Sequence, residues 1–287
     1  MQNKKFTLFD TYLYVHLALI AIVCFFPFWT VFVISTSSAE SFMNDRLHMW
    51  PQVLNFSEYH RVIFHSGVPR AFMISIIVTV VGTILALFLT IPCAYALSRP
   101  HFRPRKVLTG MIVFTMLFSG GLIPFYLVVT RLNLMNTLWA LILPGAAGAY
   151  NIVLSKSFMS NIPASLEESA KLDGASDMIV FARIVLPISK PLIAVMALFY
   201  GVAYYNNFFN AVLFITNRDL FPLQMLLREM IIANTMRSDM MGGGLLTQYA
   251  QIFQMATIVV SMIPILLVYP FLQKHFVRGL TLGAVKE

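Results

Sequence analysis

The sequence predicts an all-α membrane protein of about six transmembrane helices, with a short cytoplasmic helix between spans four and five. Three observations carry this prediction. Of the 287 residues, 59% are hydrophobic and 11% charged, with a mean hydropathy of +0.78, whereas soluble domains carry about 25% charged residues. The apolar residues fall in blocks of roughly 20, about the length a helix needs to cross a hydrocarbon core of ~30 Å. The basic residues, finally, are shared unequally between the segments that join the blocks.

The blocks are 12–36, 70–98, 107–130, 137–158, 188–215 and 256–274. Helix is the default within them, because lipid offers no partner to an unpaired backbone group. Pro27, Pro92, Pro124, Pro144, Pro264 and Pro270 are expected to bend or interrupt the spans. Lys4-Lys5 before the first block and Ser37-Ser38-Ala39 after it have the look of a secretory signal. The apolar run between them is longer than an h-region of about 7–15 residues, which predicts an uncleaved first span. Cys24 and Cys93 lie inside apolar blocks, where they read as packing residues rather than a disulfide or metal pair.

Orientation follows from the basic residues. With the N-terminus inside, the inner segments hold Lys4, Lys5, Arg99, Arg103, Arg105, Lys106, Lys156, Lys171, Arg183, Lys190, Lys274, Arg278 and Lys286. The outer segments hold Arg46, Arg61, Arg70, Arg131, Arg218, Arg228 and Arg237, so every lysine is inside. Both termini are then cytoplasmic, and the net charge of +8 is a topology signal rather than a nucleic-acid footprint.

Several classes of function are disfavoured. Ion-coupled carriers keep ionisable residues in mid-membrane, yet no Asp, Glu, Lys or Arg falls near the middle of a block. Lys190 sits at a cytoplasmic edge and His16 at an interface. The chain has no phosphate loop of the G-x-x-x-x-G-K-[ST] type, since Gly242-Gly-Gly244 continues as Leu-Leu-Thr. It also lacks H-E-x-x-H, zinc-spaced Cys and His, and G-x-S-x-G. An integral-membrane enzyme therefore has no residue constellation to support it. Uphill transport would need energy from another polypeptide, and 160–187 is the one cytoplasmic stretch large enough to dock it.

In that stretch Ser165-Leu-Glu-Glu168 fits a capping box, with Pro163 just upstream at a helix start. Gly174 suits a left-handed helix stop. Leu166, Ala170 and Asp173 share one flank; Ile179, Ile184 and Leu186 are expected to return the chain to the membrane, and Pro187 and Pro191 mark entry to the fifth span. Each feature alone is compatible with an ordinary loop. Jointly, Glu168-Ser169-Ala170, Gly174 and Ile184-Val-Leu-Pro187 match the spacing E-A-A-x3-G-x9-I-x-L-P, with Ser169 in place of the second position's alanine.

That signature resembles the cytoplasmic motif of binding-protein-dependent ABC importer permeases, and the likeness extends along nearly the whole chain. Ala94-Tyr-Ala-Leu-Ser-Arg99, Leu122-Ile-Pro-Phe-Tyr126, Leu138-Trp-Ala-Leu-Ile-Leu-Pro144 and Tyr205-Asn-Asn-Phe-Phe-Asn-Ala211 are similar to segments of the carbohydrate-type, maltose-permease-like family. The ending Phe276-Val-Arg-Gly279 through Gly283-Ala-Val-Lys286 is similar to its complex-oligosaccharide subgroup. The resemblance implies one permease domain over 1–287, with a core of about 70–274 and a coupling loop of about 159–187. In the family the coupling helix sits in a cleft of the ATPase subunit, which assigns Glu168, Ser169, Ala170, Asp173 and Gly174 to that contact. Implied partners are a homologous second permease, two ATPase subunits that carry the ATP and Mg, and an extracytoplasmic solute-binding protein that meets the outer loop 216–255. The chain itself would bind no cofactor, catalyse nothing and sit in a bacterial inner membrane. The alternative is a stand-alone secondary carrier or channel for a small polar solute.

The fifth block holds the densest intramembrane polarity. On a helix of about 100° per residue, Tyr200, Tyr204, Asn206, Asn207 and Asn210 cover an arc of roughly 160°, with Tyr205 in the same span but outside that arc. Aromatic faces and amides bind sugars, so this arc is a candidate solute path; the other reading is interhelical hydrogen bonding, at about 1 kcal/mol per contact. Gly120-Gly121 and Pro124 are expected to distort the third span. The seven outer arginines favour carboxylate partners and point toward an acidic saccharide such as a uronate oligomer, though Glu40, Asp45, Glu58, Asp219, Glu229 and Asp239 leave that face at +1.

Overall fold

The computed structural model describes residues 8–44, 49–64, 67–241 and 245–284. Lys4, Lys5, Asp45, Arg46, Gly242-Gly-Gly244 and Lys286 lie outside these residues. Every regular element among the described residues is a helix, and the one β contact is an isolated bridge from Ser37 to Leu54. The chain groups into two compact units, one up to Pro69 plus Leu227–Ile263, the other Arg70–Leu226 plus the residues from Pro264 onward.

The first unit opens with α1 (Leu8–Ser35), which runs unbroken through Pro27 and buries only Val33, Ile34 and Ser35 at its end. An apolar helix exposed along its length is what a lipid-facing span requires. Beyond it come α2 (Ala39–Asn44) and α3 (Ser57–Phe64). Ser35 Oγ and Tyr59 Oη share a 2.6 Å hydrogen bond, and Trp29 Nε1 donates to the Met49 carbonyl at 2.8 Å.

The second unit is organised around α4 (Val68–Ser98), 31 residues long and continuous through Pro92. At about 1.5 Å per residue it reaches about 46 Å, more than a hydrocarbon core is thick. Its buried Val78, Ala86, Ile91 and Ala94 anchor the main core, which draws in Leu141, Met159, Val180, Val185, Leu192 and Met196.

The next spans are broken where the sequence predicts distortion. α5 (Arg105–Leu117) and α6 (Leu122–Arg131) meet at 116°, with Gly121 in the left-handed region at φ 85°. The fourth block is not one helix. It divides into α7 (Trp139–Ile142), a tight turn over Leu143–Gly145 and α8 (Ala149–Ser160), because Pro144 can neither donate a backbone bond nor continue the helix. The polar stretch forms α9 (Ala164–Leu172) and α10 (Asp177–Val180), followed by a π-helical turn over Phe181–Val185 and α11 (Leu186–Ile188). After a 77° bend, α12 (Lys190–Tyr205) crosses the unit and yields at Asn206-Asn207 to α13 (Phe208–Phe214). Among the described residues, three helices are thus long and apolar enough to span a membrane, or up to five if each bent pair is one span, against about six expected from composition.

The segment 216–255 contains a helix that hydropathy does not betray, α14 (Leu223–Met241), and the start of α15 (Leu245–Ala284), which runs through Pro264 and Pro270. At the start of α4, Arg70 pairs with Asp219 at 2.8 Å, and Ser75 Oγ accepts the Leu223 N–H at 2.8 Å. Nearby, Asn136, left-handed at φ 58°, accepts from Thr216 N, Thr216 Oγ1 and Asn217 N through its side-chain oxygen.

Candidate functional site

The short helix α9 has a C-terminus built by glycine. The Ala175 N–H reaches the Ala170 carbonyl at 2.9 Å and the Gly174 N–H reaches Lys171 at 3.0 Å, with Gly174 at φ +82°. This pair of bonds is the Schellman arrangement, and a side chain at Gly174 would strain it. The N-terminus differs from the capping box expected of Ser165 and Glu168. The helix begins at Ala164, Pro163 is the boundary residue, and no side chain caps it. Extended backbone at Pro163 starts the helix two residues too early for Ser165 to act as cap.

Two adjacent carboxylates on α9 point opposite ways. Glu168 is exposed, as are Ser169, Asp173 and Gly174. Leu172, one turn on from Glu168 and 89% exposed, adds apolar surface to that face, and Met178 on α10 is 73% exposed. Glu167 is buried, and Ala170, three positions on, packs against the main core. Of the residues expected to return the chain to the membrane, Ile184 and Leu186 are half-buried and Ile179 is exposed, while Val180 and Val185 are fully buried. The π-helical turn shifts the inward face by one residue between them.

Glu167 is held by Arg99, the residue just past α4. The guanidinium donates through Nη1 to Glu167 Oε1, through Nη2 to the Met159 carbonyl at 2.5 Å and through Nε to Ser98 Oγ at 2.9 Å. Its carbon lies 5.1 Å from the centre of the Tyr95 ring, which in turn packs on Phe181 at 5.0 Å. Both side chains of the pair are 7% exposed. Buried charge is tolerated only when paired and hydrogen-bonded, and Arg99 meets that condition from three directions. Across the glycine turn, exposed Lys171 and Asp177 pair at 2.7 Å, and the lysine's hydrogen bond and charge hold the Asp177 carboxyl below its ordinary range.

The fifth-span residues separate into two groups. Tyr204 Oη donates to the Ile142 carbonyl at 2.8 Å, and its ring leaves no room for a Cβ at Gly82, where the contact would be 2.7 Å. Tyr200 Oη pairs with Thr90 Oγ1 at 2.6 Å and accepts the Gly148 N–H at 3.2 Å. Both tyrosines, with Tyr205, are buried; Tyr200 and Tyr204 tie α12 to α4 and to the broken segment between α7 and α8. Asn206 is exposed, while Asn207 and Asn210 are half-buried, Asn207 capping α13 by accepting the Asn210 N–H.

Residues 79–282 match the family described as binding-protein-dependent transport system inner membrane component. The chain belongs to that family. The match covers most of the sequence, so the chain is a multi-pass inner-membrane permease component of an ABC importer rather than an enzyme, and in this family the ATPase is a separate subunit. Such permeases work with a second permease, ATPases and a solute-binding protein. The chain is similar to the polygalacturonan/rhamnogalacturonan transport system permease protein YtcP of Bacillus subtilis, at 43% identity over 100% of both chains. It is also similar to Protein LplC of the same organism, at 40% identity over 100% of this chain and 98% of that one. Among solved structures it resembles a bacterial ABC transporter involved in the import of the acidic polysaccharide alginate, with TM-score 0.86, 31% identity, and coverage of 96% and 100%.

Sequence reasoning gave Glu167 no role and read Arg99 as a topology anchor that closes a family-like segment. Positions 167 and 170 share a helix face, so the packing of Ala170 on the core turns Glu167 inward and Glu168 outward, and spacing alone does not say which face the core takes.

Proposed function

We propose that this permease is the membrane-spanning subunit of an ATP-driven importer for acidic oligosaccharides. The observation that carries the coupling half of the reading is the division of α9 into an inward face fixed by Arg99 and an outward face presenting Glu168, Ser169, Leu172, Asp173 and Gly174. An outward carboxylate beside exposed leucine gives a partner protein both a charge and an apolar contact to bury. Ala170 supports that face from beneath. ATP and Mg are bound by the partner ATPases, both termini face the cytoplasm, and the chain holds no cofactor.

The substrate half rests on the relatives' pectic and alginate substrates together with the outer arginines. Asn206, Asn207 and Asn210, at the break between α12 and α13, supply the solute-path polarity, while Tyr200 and Tyr204 brace the helices around it. The test is uptake by proteoliposomes holding this chain, its second permease, two ATPases and the binding protein, offered oligogalacturonides or neutral maltooligosaccharides. ATP-dependent accumulation of the acidic set alone is expected. Accumulation by the chain without any ATPase would favour a secondary carrier instead.

A further inference from the structure

The docking helix α9 has two routes to the membrane spans, and they differ in stiffness. The chain route runs through Gly174 at φ +82°, the π-helical turn Phe181–Val185 and the 77° bend before reaching α12. Each of these interrupts regular α-helix and acts in this reading as a joint. The lateral route runs from Glu167 through Arg99 directly to the end of α4. A planar guanidinium can address three segments at fixed angles, which a lysine with its one nitrogen cannot, and here it addresses α4, α8 and α9 together. Burial keeps water from replacing any of these contacts as the parts move.

We propose that Arg99 is a positioning strut that makes α9 and α4 move as one body, so that displacement of the docking helix reaches the second span without passing through the joints. This rests on the docking reading above. The tyrosine ring under the guanidinium limits its tilt, and the Tyr95–Phe181 contact brings the π-helical turn against the same post. Span five then follows later and more loosely than span two.

The experiment uses the complete assembly with Cys24 and Cys93 replaced by serine and spin labels at Ala164 on α9 and Phe88 on α4, both exposed. Distances are measured by electron paramagnetic resonance with and without ATP-Mg and vanadate. With native Arg99 the interlabel distance should be the same in both states, while a second pair, Ala164 with Val202 on α12, should shift. In Arg99→Gln and in Glu167→Gln the first pair should also become nucleotide-dependent, with the ATPase still bound. A nucleotide-dependent first distance in the native chain overturns the strut, and so does an unchanged distance in both variants. If no ATPase co-purifies with the native chain, the docking reading itself has failed, which is a separate result.

Discussion

The helix α4 is tied by an arginine–carboxylate pair at each end, and the two pairs are opposites. Arg70 and Asp219 stand 61% exposed at one end, and Arg99 and Glu167 stand 7% exposed at the other. In water an ion pair exchanges one good environment for another and contributes about 0–1 kcal/mol. In a buried site the cost of removing either partner is about 3–5 kcal/mol, because the survivor is left charged and dry. The same chemistry is therefore a replaceable fastening at one end and a structural commitment at the other. The commitment lies where α9 meets the end of α4.

The contrast breaks first at its buried end. Arg99→Ala, measured by thermal melting of the purified assembly, should destabilise by about 3–5 kcal/mol. The double change Arg99→Met with Glu167→Leu should recover most of that stability, since a packed apolar pair can replace a buried ionic one. Recovery by the double change would separate the pair's part in stability from its part in coupling.

Next in size is Gly82→Val. A Cβ there would meet the Tyr204 ring at 2.7 Å, so overpacking should cost about 1–3 kcal/mol, read in the same melting assay. A normal melting temperature would mean that α12 shifts freely against α4. Gly174→Ala follows, placing a side chain in a left-handed backbone at about 1–2 kcal/mol; ATP-dependent uptake should fall while membrane insertion stays normal. Smallest is Arg70→Ala, for which a change of at most about 1 kcal/mol is expected. A larger loss would place the Arg70–Asp219 pair on the same footing as the Arg99–Glu167 pair.

The sequence made much of this legible because lipid enforces simple rules. Block length predicts long apolar helices, and the spacing around Gly174 predicts the short helix α9 and its left-handed stop. What stayed hidden depends on tertiary neighbours. Glu167 and Glu168 are chemically identical in sequence, and only the core beneath Ala170 decides which one turns inward. Tyr200 and Tyr204 looked like sugar-binding aromatics, yet Gly82, Thr90 and Gly148 give them partners within the protein. The fragmentation of 137–158 turned on Pro144 acting beside Gly145 at a tight turn, whereas Pro27 and Pro92 left their helices whole. A proline's effect is set by what surrounds its lost hydrogen bond.

The division of α9 into an outward docking face and an inward anchored face is tested most directly by the amount of ATPase that co-purifies with two neighbouring variants. Glu168→Lys reverses an exposed charge on the proposed docking face, and Glu167→Gln changes only the buried contact with Arg99. The ATPase should be lost from the first and retained by the second at the native level. Equal retention in both, or loss from Glu167→Gln alone, would contradict the assignment of the two faces.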